Sequence, residues 1–253
     1  MNKWLCIDGS YFVFYRVHAT LNWWKLAKKE SYDAVKDAPH LSPEFVEKFH
    51  DFCDKSIQKV AKLHGVGREN IIIAKDCPRA DIWRMEFYPE YKGTRKSSGA
   101  VGGFFELFYS RWAGRVLYHP HLEADDCIAR FVKSKGDDDR VIIIASDNDY
   151  LQLVTGERVQ LWDLANKNLG EKRTKSTAER PNFDIFAKVV NGDVSDNIPP
   201  VFGKAVTAKK LVSLYDDWAG EINSIVLPSP EGDMLLRNLR LICFDYIPDI
   251  YQI

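Results

Sequence analysis

Four short runs of aliphatic and β-branched residues recur along the chain, each closing on a polar or acidic position. They are "WLCID" (Trp4 to Asp8), "NIIIAKD" (Asn70 to Asp76), "RVLYH" (Arg115 to His119) and "RVIIIASD" (Arg140 to Asp147). Runs of this length and composition read as buried strands. Between them the pattern turns helical. Ser42-Pro43-Glu44 is a cap with proline at the first helical position, and predicts a helix to about His64. "EADDCIARFVKSKG" opens acidic and closes on lysines and a glycine, the charge order a helix dipole favours. Strands alternating with helices predict an α/β fold with a mostly parallel central sheet flanked by helices. The C-terminal ends of its strands should line the ligand crevice.

Two stretches break the alternation. "KGTRKSSGAVGG" (Lys92 to Gly103) is polar and glycine-rich and reads as a loop. From Pro181 onward the pattern is mainly helical, with a boundary between Lys167 and Glu179. This predicts an α/β core over residues 1–175 and a helical subdomain over 176–253. Trp23 and Trp24 fall in a segment that reads as core or subdomain packing rather than as a base-stacking platform.

Composition changes this picture little. At 253 residues, with 45% hydrophobic and 28% charged positions, the chain is long enough for a sizeable core and is not broadly disordered. The five cysteines are scattered, without a C-x-x-C pair, which points to reduced thiols rather than a zinc site. No run approaches the ~18 apolar residues of a membrane span. A soluble, monomeric, cytoplasmic protein without a membrane partner is expected, or one of the nucleoid or host-cell cytoplasm if viral.

The acidic residues carry the chemistry. In "IIIASDNDYLQLV" the aliphatic run of the fourth strand leads into Asp147 and Asp149, with no basic residue in the segment. Asp8 ends the first strand, Asp76 the second, and Glu123, Asp125 and Asp126 follow the third. Asp193 and Asp196 lie in the helical part, in "NGDVSDN". Singly, Asp8 suits a turn, Asp125 and Asp126 suit a helix dipole, and Asp149 suits the cap of a helix starting near Tyr150. Those readings do not explain why four strands deliver acids to one edge. Crowded carboxylates raise one another's pKa, and protonation or a cation must relieve them. Oxygen donors without cysteine or histidine select Mg²⁺ or Mn²⁺ over zinc. Their number suits two ions about 4 Å apart, the arrangement used in phosphodiester hydrolysis.

The order "IDGS", "D…R…YPEYKGTR", "LEADD", "SDNDYLQL", "GDVSDNIPPVFG" resembles the flap endonuclease and 5′-nuclease family. That family includes phage 5′ to 3′ exonucleases and the 5′-nuclease domain of bacterial DNA polymerase I. The resemblance runs from about Trp4 to Leu211, and five motifs in sequence are far more specific than one. It implies a PIN-like core and a divalent-metal-dependent 5′-nuclease, exonuclease or flap endonuclease, of replication or repair. The substrates implied are 5′ ends, flaps or nicks in DNA, or RNA:DNA hybrids, with replication proteins as possible partners. By matched position, Asp8, Asp76, Glu123, Asp125 and Asp126 are implied at a first metal, and Asp147, Asp149, Asp193 and Asp196 at a second. Asp125 and Asp147 are implied as catalytic with Lys92 and Arg95, which would reach the scissile phosphate from an arch-like loop near 92–103. Arg84 and Lys96 are implied as phosphate contacts, and Tyr91 as a base-stacking residue.

In "GDVSDNIPPVFGKAVTAKKL" the resemblance implies a helix-turn-helix variant that grips duplex backbone and binds K⁺, with Gly203, Lys204, Lys209 and Lys210 at the DNA. The family usually has two glycines one residue apart in that turn, where this chain has Gly203-Lys204-Ala205.

The net charge of −1 conceals a separation of signs. With the nine candidate ligands set aside, 27 acids face 35 lysines and arginines, a balance of +8 suited to a phosphate-binding surface around an acidic pocket. Three other readings compete. PIN-like ribonucleases share an acidic α/β core but lack the "GDxSDN" extension. A haloacid-dehalogenase-type phosphatase wants a second aspartate where this chain has Ser10. A non-catalytic branched-DNA-binding protein would have lost ligands, whereas all nine positions here are acidic.

Overall fold

The computed structural model describes residues 2–95, 99–172, 182–217 and 230–253. Lys96, part of the loop near 92–103, and the expected boundary at 175 and 176 lie outside them. Two compact units are present. The first comprises residues 1–77 and 97–169 with Ile253, and the second comprises 78–96 and 170–252. Residues 78–96, part of the core in the sequence reading, thus group with the helical unit.

The first unit is built on a five-stranded, all-parallel sheet in the order β3-β2-β1-β4-β5. β1 (Lys3–Asp8) lies at its centre. It is flanked by β2 (Ile71–Ala74), with Asp8 opposite Ala74, and by β4 (Arg140–Ile144), with Ile7 opposite Ile144. β3 (Val116–Leu117) is only two residues long. A fifth strand, β5 (Val159–Trp162), joins the far edge beyond the four runs predicted. Strand order reverses between β1 and β4, so the carboxyl ends of these strands flank the switch point where open α/β sheets place their ligands.

The adjoining helices follow from local chemistry. α1 (Gly9–Ala27) starts directly after β1, because Asp8 caps it by accepting from the Tyr11 amide at 2.9 Å. A Cβ at Gly9 would collide with the Ala74 carbonyl and the Tyr109 side chain, so only glycine permits this immediate turn from strand to helix. After α2 (Lys29–Val35), α3 (Pro43–His64) runs between the limits predicted. Ser42 caps its start, and Gly65, at φ 64°, ends it with its amide on the Ala61 and Lys62 carbonyls. α4 (Gly103–Arg111) and α5 (Ala124–Lys133) complete the unit.

Phe12, Val17 and Trp24 of α1, Phe45, Phe49 and Ile57 of α3, and Phe104 and Phe108 of α4 bury against Leu5, Ile7, Ile73 and Ile144 of the sheet. Trp24 is 1% exposed, and Trp23 packs edge-on to Phe52, in keeping with a packing role for both. All five cysteines are buried thiols.

The described part of the second unit is helical, with α6 (Phe183–Asn191), α7 (Ala208–Asp217) and α8 (Pro230–Ile242). Phe183 and Phe186 meet Tyr215 of α7, each with ring centroids 5.4 Å apart. Asn238 of α8 is fully buried, and its amide donates to the Val189 and Pro199 carbonyls, both at 2.9 Å. Those bonds satisfy two backbone acceptors that would otherwise be buried at a cost. Among the described residues no helix is long and apolar enough to cross a membrane.

Candidate metal centre

Seven of the nine candidate ligands belong to the first unit, at the carboxyl end of its sheet. The strands stop short of them: β2 ends at Ala74 and β4 at Ile144, so Asp76, Asp147 and Asp149 stand on the connections that follow. Asp8 is held at both oxygens. Oδ1 accepts from the Tyr11 amide and Oδ2 from the Tyr150 hydroxyl, each at 2.9 Å. Burial, then the charge of Asp76, pushes the Asp8 carboxyl up to about 7, against the opposing hydrogen bonds of Tyr11 and Tyr150.

Asp76 reaches two other elements. Its Oδ1 accepts from the amide of Ala124, the first residue of α5, at 2.8 Å, and its Oδ2 from the Ser10 hydroxyl. Around the N-terminus of α5, Glu123, Asp125 and Asp126 each bring an oxygen within 4.8 Å of the others. Glu123 and Asp126 form a reciprocal cap in which the Glu123 amide donates to Asp126 Oδ2 at 3.3 Å. Asp125 Oδ1 accepts from the Asp126 amide at 2.7 Å. The positive end of the helix dipole favours three carboxylates here, yet Glu123 and Asp126 are nearly out of solvent, at 4% and 0% exposure. Asp147 caps the 3-10 turn Asn148–Leu153 through the Asp149 amide at 2.9 Å.

Taken together, this is a set of hard oxygen donors, crowded and partly desolvated. Its chemistry fits a divalent cation.

The sequence reading missed the hydroxyls around these acids. Tyr150 directly follows Asp149 in "SDNDY", which was the one signal available. Tyr109 is nearly buried, and burial together with the charges of Asp76 and Asp8 raises its hydroxyl, keeping it protonated beside the carboxylates.

In the second unit the two segments expected to carry phosphate contacts and metal ligands bind each other. Asp196, 6% exposed, accepts on Oδ1 from Arg95 Nη2 at 2.6 Å and on Oδ2 from the Tyr91 hydroxyl at 3.3 Å. Lys92 Nζ lies 3.9 Å from Asp196 Oδ1, and the Lys92 amide donates to the Asp196 carbonyl at 2.8 Å. Lys92 holds this place at φ 54°, unusual for a residue with a side chain. Asn197 donates to the Glu90 carbonyl at 2.8 Å and accepts from the Tyr88 hydroxyl at 3.0 Å. Asp193 accepts from Lys188 and from the Ser195 amide and hydroxyl, all at 2.7 Å. Burial raises its carboxyl, but Lys188 and Ser195 outweigh burial and hold it below the usual range.

Arg84 and Tyr91, expected at a phosphate and a base, are both buried here. Arg84 is 2% exposed, with Nε on the Leu241 carbonyl at 2.7 Å and its guanidinium 4.6 Å from the Trp83 ring centre. Its guanidinium thus meets a carbonyl and a ring of its own unit. Tyr91 is likewise 2% exposed. Gly203, at φ 70°, lies in an exposed turn, and Lys204, Lys209 and Lys210 are exposed.

Known proteins place this geometry. The chain is 28% identical over 215 residues to ribonuclease H of Enterobacteria phage T4, covering 75% of this chain and 69% of that one. It is 27% identical over 206 residues to the flap endonuclease of Escherichia phage T5, covering 73% and 68%. Over 187 residues it is 28% identical to Mycobacterium tuberculosis DNA polymerase I, covering 67% of this chain but 20% of the polymerase. Among solved structures, T5 5′-exonuclease with bound zinc superposes at a TM-score of 0.68 and 20% identity, over 97% of this chain and 90% of that one. The T5 D15 flap endonuclease in a pseudo-enzyme-product complex with DNA and metal ions gives 0.67 at 21%, over 96% and 89%. These likenesses establish the shared fold. Residues 3–181 match the 5′-3′ exonuclease N-terminal, resolvase-like domain, and the chain therefore belongs to that family.

Proposed function

We propose that the protein is a structure-specific 5′-nuclease that hydrolyses phosphodiester bonds in DNA or RNA:DNA hybrids, in replication or repair. The observation that carries this reading is the gathering of carboxylates at the carboxyl end of the parallel sheet, in a chain of the 5′-3′ exonuclease family. Asp8, Asp76, Glu123, Asp125 and Asp126 would hold one divalent ion, Mg²⁺ or Mn²⁺, and Asp147 and Asp149 a second. Asp193 and Asp196 enter that second group on the sequence resemblance. When bound, two such ions supply an activated water and stabilisation of the leaving oxygen.

The chain's own part is to fix the carboxylates and to receive the phosphate. Backbone amides of Tyr11, Ala124 and Asp126, with the hydroxyls of Ser10 and Tyr150, fix the orientation of Asp8, Asp76 and Asp125 before substrate arrives. Arg95, about half exposed, would exchange Asp196 for a phosphate oxygen, and Lys92 would follow. Both would then stabilise charge that develops at phosphorus. The exposed Lys204, Lys209 and Lys210 around Gly203 would hold duplex backbone in a helix-turn-helix variant made of α6 and α7, with K⁺ in its turn. The protein would act as a cytoplasmic monomer alongside replication proteins.

That one relative is named ribonuclease H supports RNA as one substrate. A panel of 5′-flapped duplex, nicked duplex, RNA:DNA hybrid and single-stranded DNA, end-labelled and incubated with Mg²⁺ or chelator, tests the proposal. Metal-dependent products at the flap junction or 5′ terminus support it. Binding of the flapped duplex without cleavage of any substrate in Mg²⁺ or Mn²⁺ overturns it in favour of a non-catalytic DNA-binding role.

A further inference from the structure

Tyr150 joins two groups of candidate ligands. Its side chain is fully buried, and its hydroxyl donates to Asp8 Oδ2 at 2.9 Å. It belongs to the 3-10 turn Asn148–Leu153, which is capped by Asp147 and carries Asp149 in its first turn. One rigid ring therefore connects the carboxylate that ends β1 to the turn that presents the other two. The opposite oxygen of Asp8 is fixed by the Tyr11 amide. With both oxygens engaged, Asp8 cannot swing to follow an ion, and the turn bearing Asp147 and Asp149 cannot drift without breaking the bond to Asp8.

We propose that Tyr150 is a positioning residue that sets the spacing between the two carboxylate groups and so tunes affinity for divalent metal. This rests on the metal-centre reading above. Outer partners that orient ligating side chains contribute about 10–100-fold in metal affinity or activity when removed. Tyr150→Phe deletes the hydroxyl and keeps the buried ring, so it separates the bond from the packing.

The test is Mn²⁺ titrated calorimetrically into the metal-free wild-type and Tyr150→Phe proteins, with thermal unfolding in chelator as a check on folding. Tyr150→Met, apolar and without a hydroxyl, repeats it in a second background. The expected result is Mn²⁺ binding weakened by about 10–100-fold, with cleavage lost at low Mn²⁺ and recovered at saturating Mn²⁺. An unchanged isotherm in the variants beside normal wild-type binding overturns the positioning role alone. So does a cleavage defect that saturating Mn²⁺ fails to restore, since that marks general damage to the site. Absence of Mn²⁺ binding by the wild type overturns this inference and the metal centre together.

Discussion

Replacing Asp8 by asparagine should stabilise the metal-free protein. The Asp8 carboxyl is pushed from its ordinary 3.8 to about 7, so the folded chain binds this proton more tightly than the unfolded chain. The stability linked to protonated Asp8 is fully present below about pH 4 and is lost as pH rises to about 7. The difference between 3.8 and about 7 corresponds to at most about 4 kcal/mol at pH 8. Asp8 is partly exposed and shares its charge with Asp76, so about 2 kcal/mol is the expected gain on neutralising it. Asparagine caps a helix as well as aspartate does, and its amide can donate to the Tyr150 oxygen, so little is lost in exchange. For a unit of this size, about 2 kcal/mol raises Tm by roughly 4–8 °C. The assay is thermal unfolding in chelator at pH 4.5 and pH 8. Asp8→Asn should unfold several degrees above wild type at pH 8 and close to it at pH 4.5, while added Mg²⁺ should stabilise wild type more than the variant. No gain at pH 8, or an equal gain at both pH values, would refute the electrostatic reasoning.

Three further variants probe other links. Asp147→Asn combined with Asp149→Asn should abolish metal-dependent cleavage while leaving binding to flapped DNA in chelator, measured by fluorescence anisotropy. Lys92→Ala should lower turnover far more than affinity, because its contribution is expected at the developing charge; an equal loss in both parameters would make it a binding residue only. Phe104→Ala removes a fully buried ring whose centre lies 4.7 Å from that of Phe49, and should cost about 3–5 kcal/mol in denaturant unfolding without changing the identity of the cleavage products.

Local punctuation made part of the fold legible. α3 could be placed because Ser42-Pro43 and Gly65 are unambiguous start and stop signals, and β1, β2 and β4 because their aliphatic runs are dense. β5 was missed because "VQLW" is only four residues long, too short a run to stand out even with Asp163 directly after it. The gathering of acids was legible for a topological reason, since parallel strands bring their carboxyl ends to one edge whatever the lengths of the connections. Contacts between distant segments were not legible. Arg84 reads as a surface cation until Trp83 and the Leu241 carbonyl, 157 residues away, enclose it. Nothing in "EYKGTR" announces that Arg95 and Tyr91 will meet Asp196 more than 100 residues later.

The central claim is that the carboxylates at the sheet edge form a divalent-metal nuclease centre. Its most direct test is single-turnover cleavage of a 3′-labelled, 5′-flapped duplex by protein stripped of metal, followed as Mg²⁺ is added. The account predicts no product in chelator, then products at the flap junction or 5′ end that grow with Mg²⁺ and are absent from the Asp147→Asn, Asp149→Asn protein. Cleavage that persists in chelator, or that survives loss of both aspartates, would contradict it.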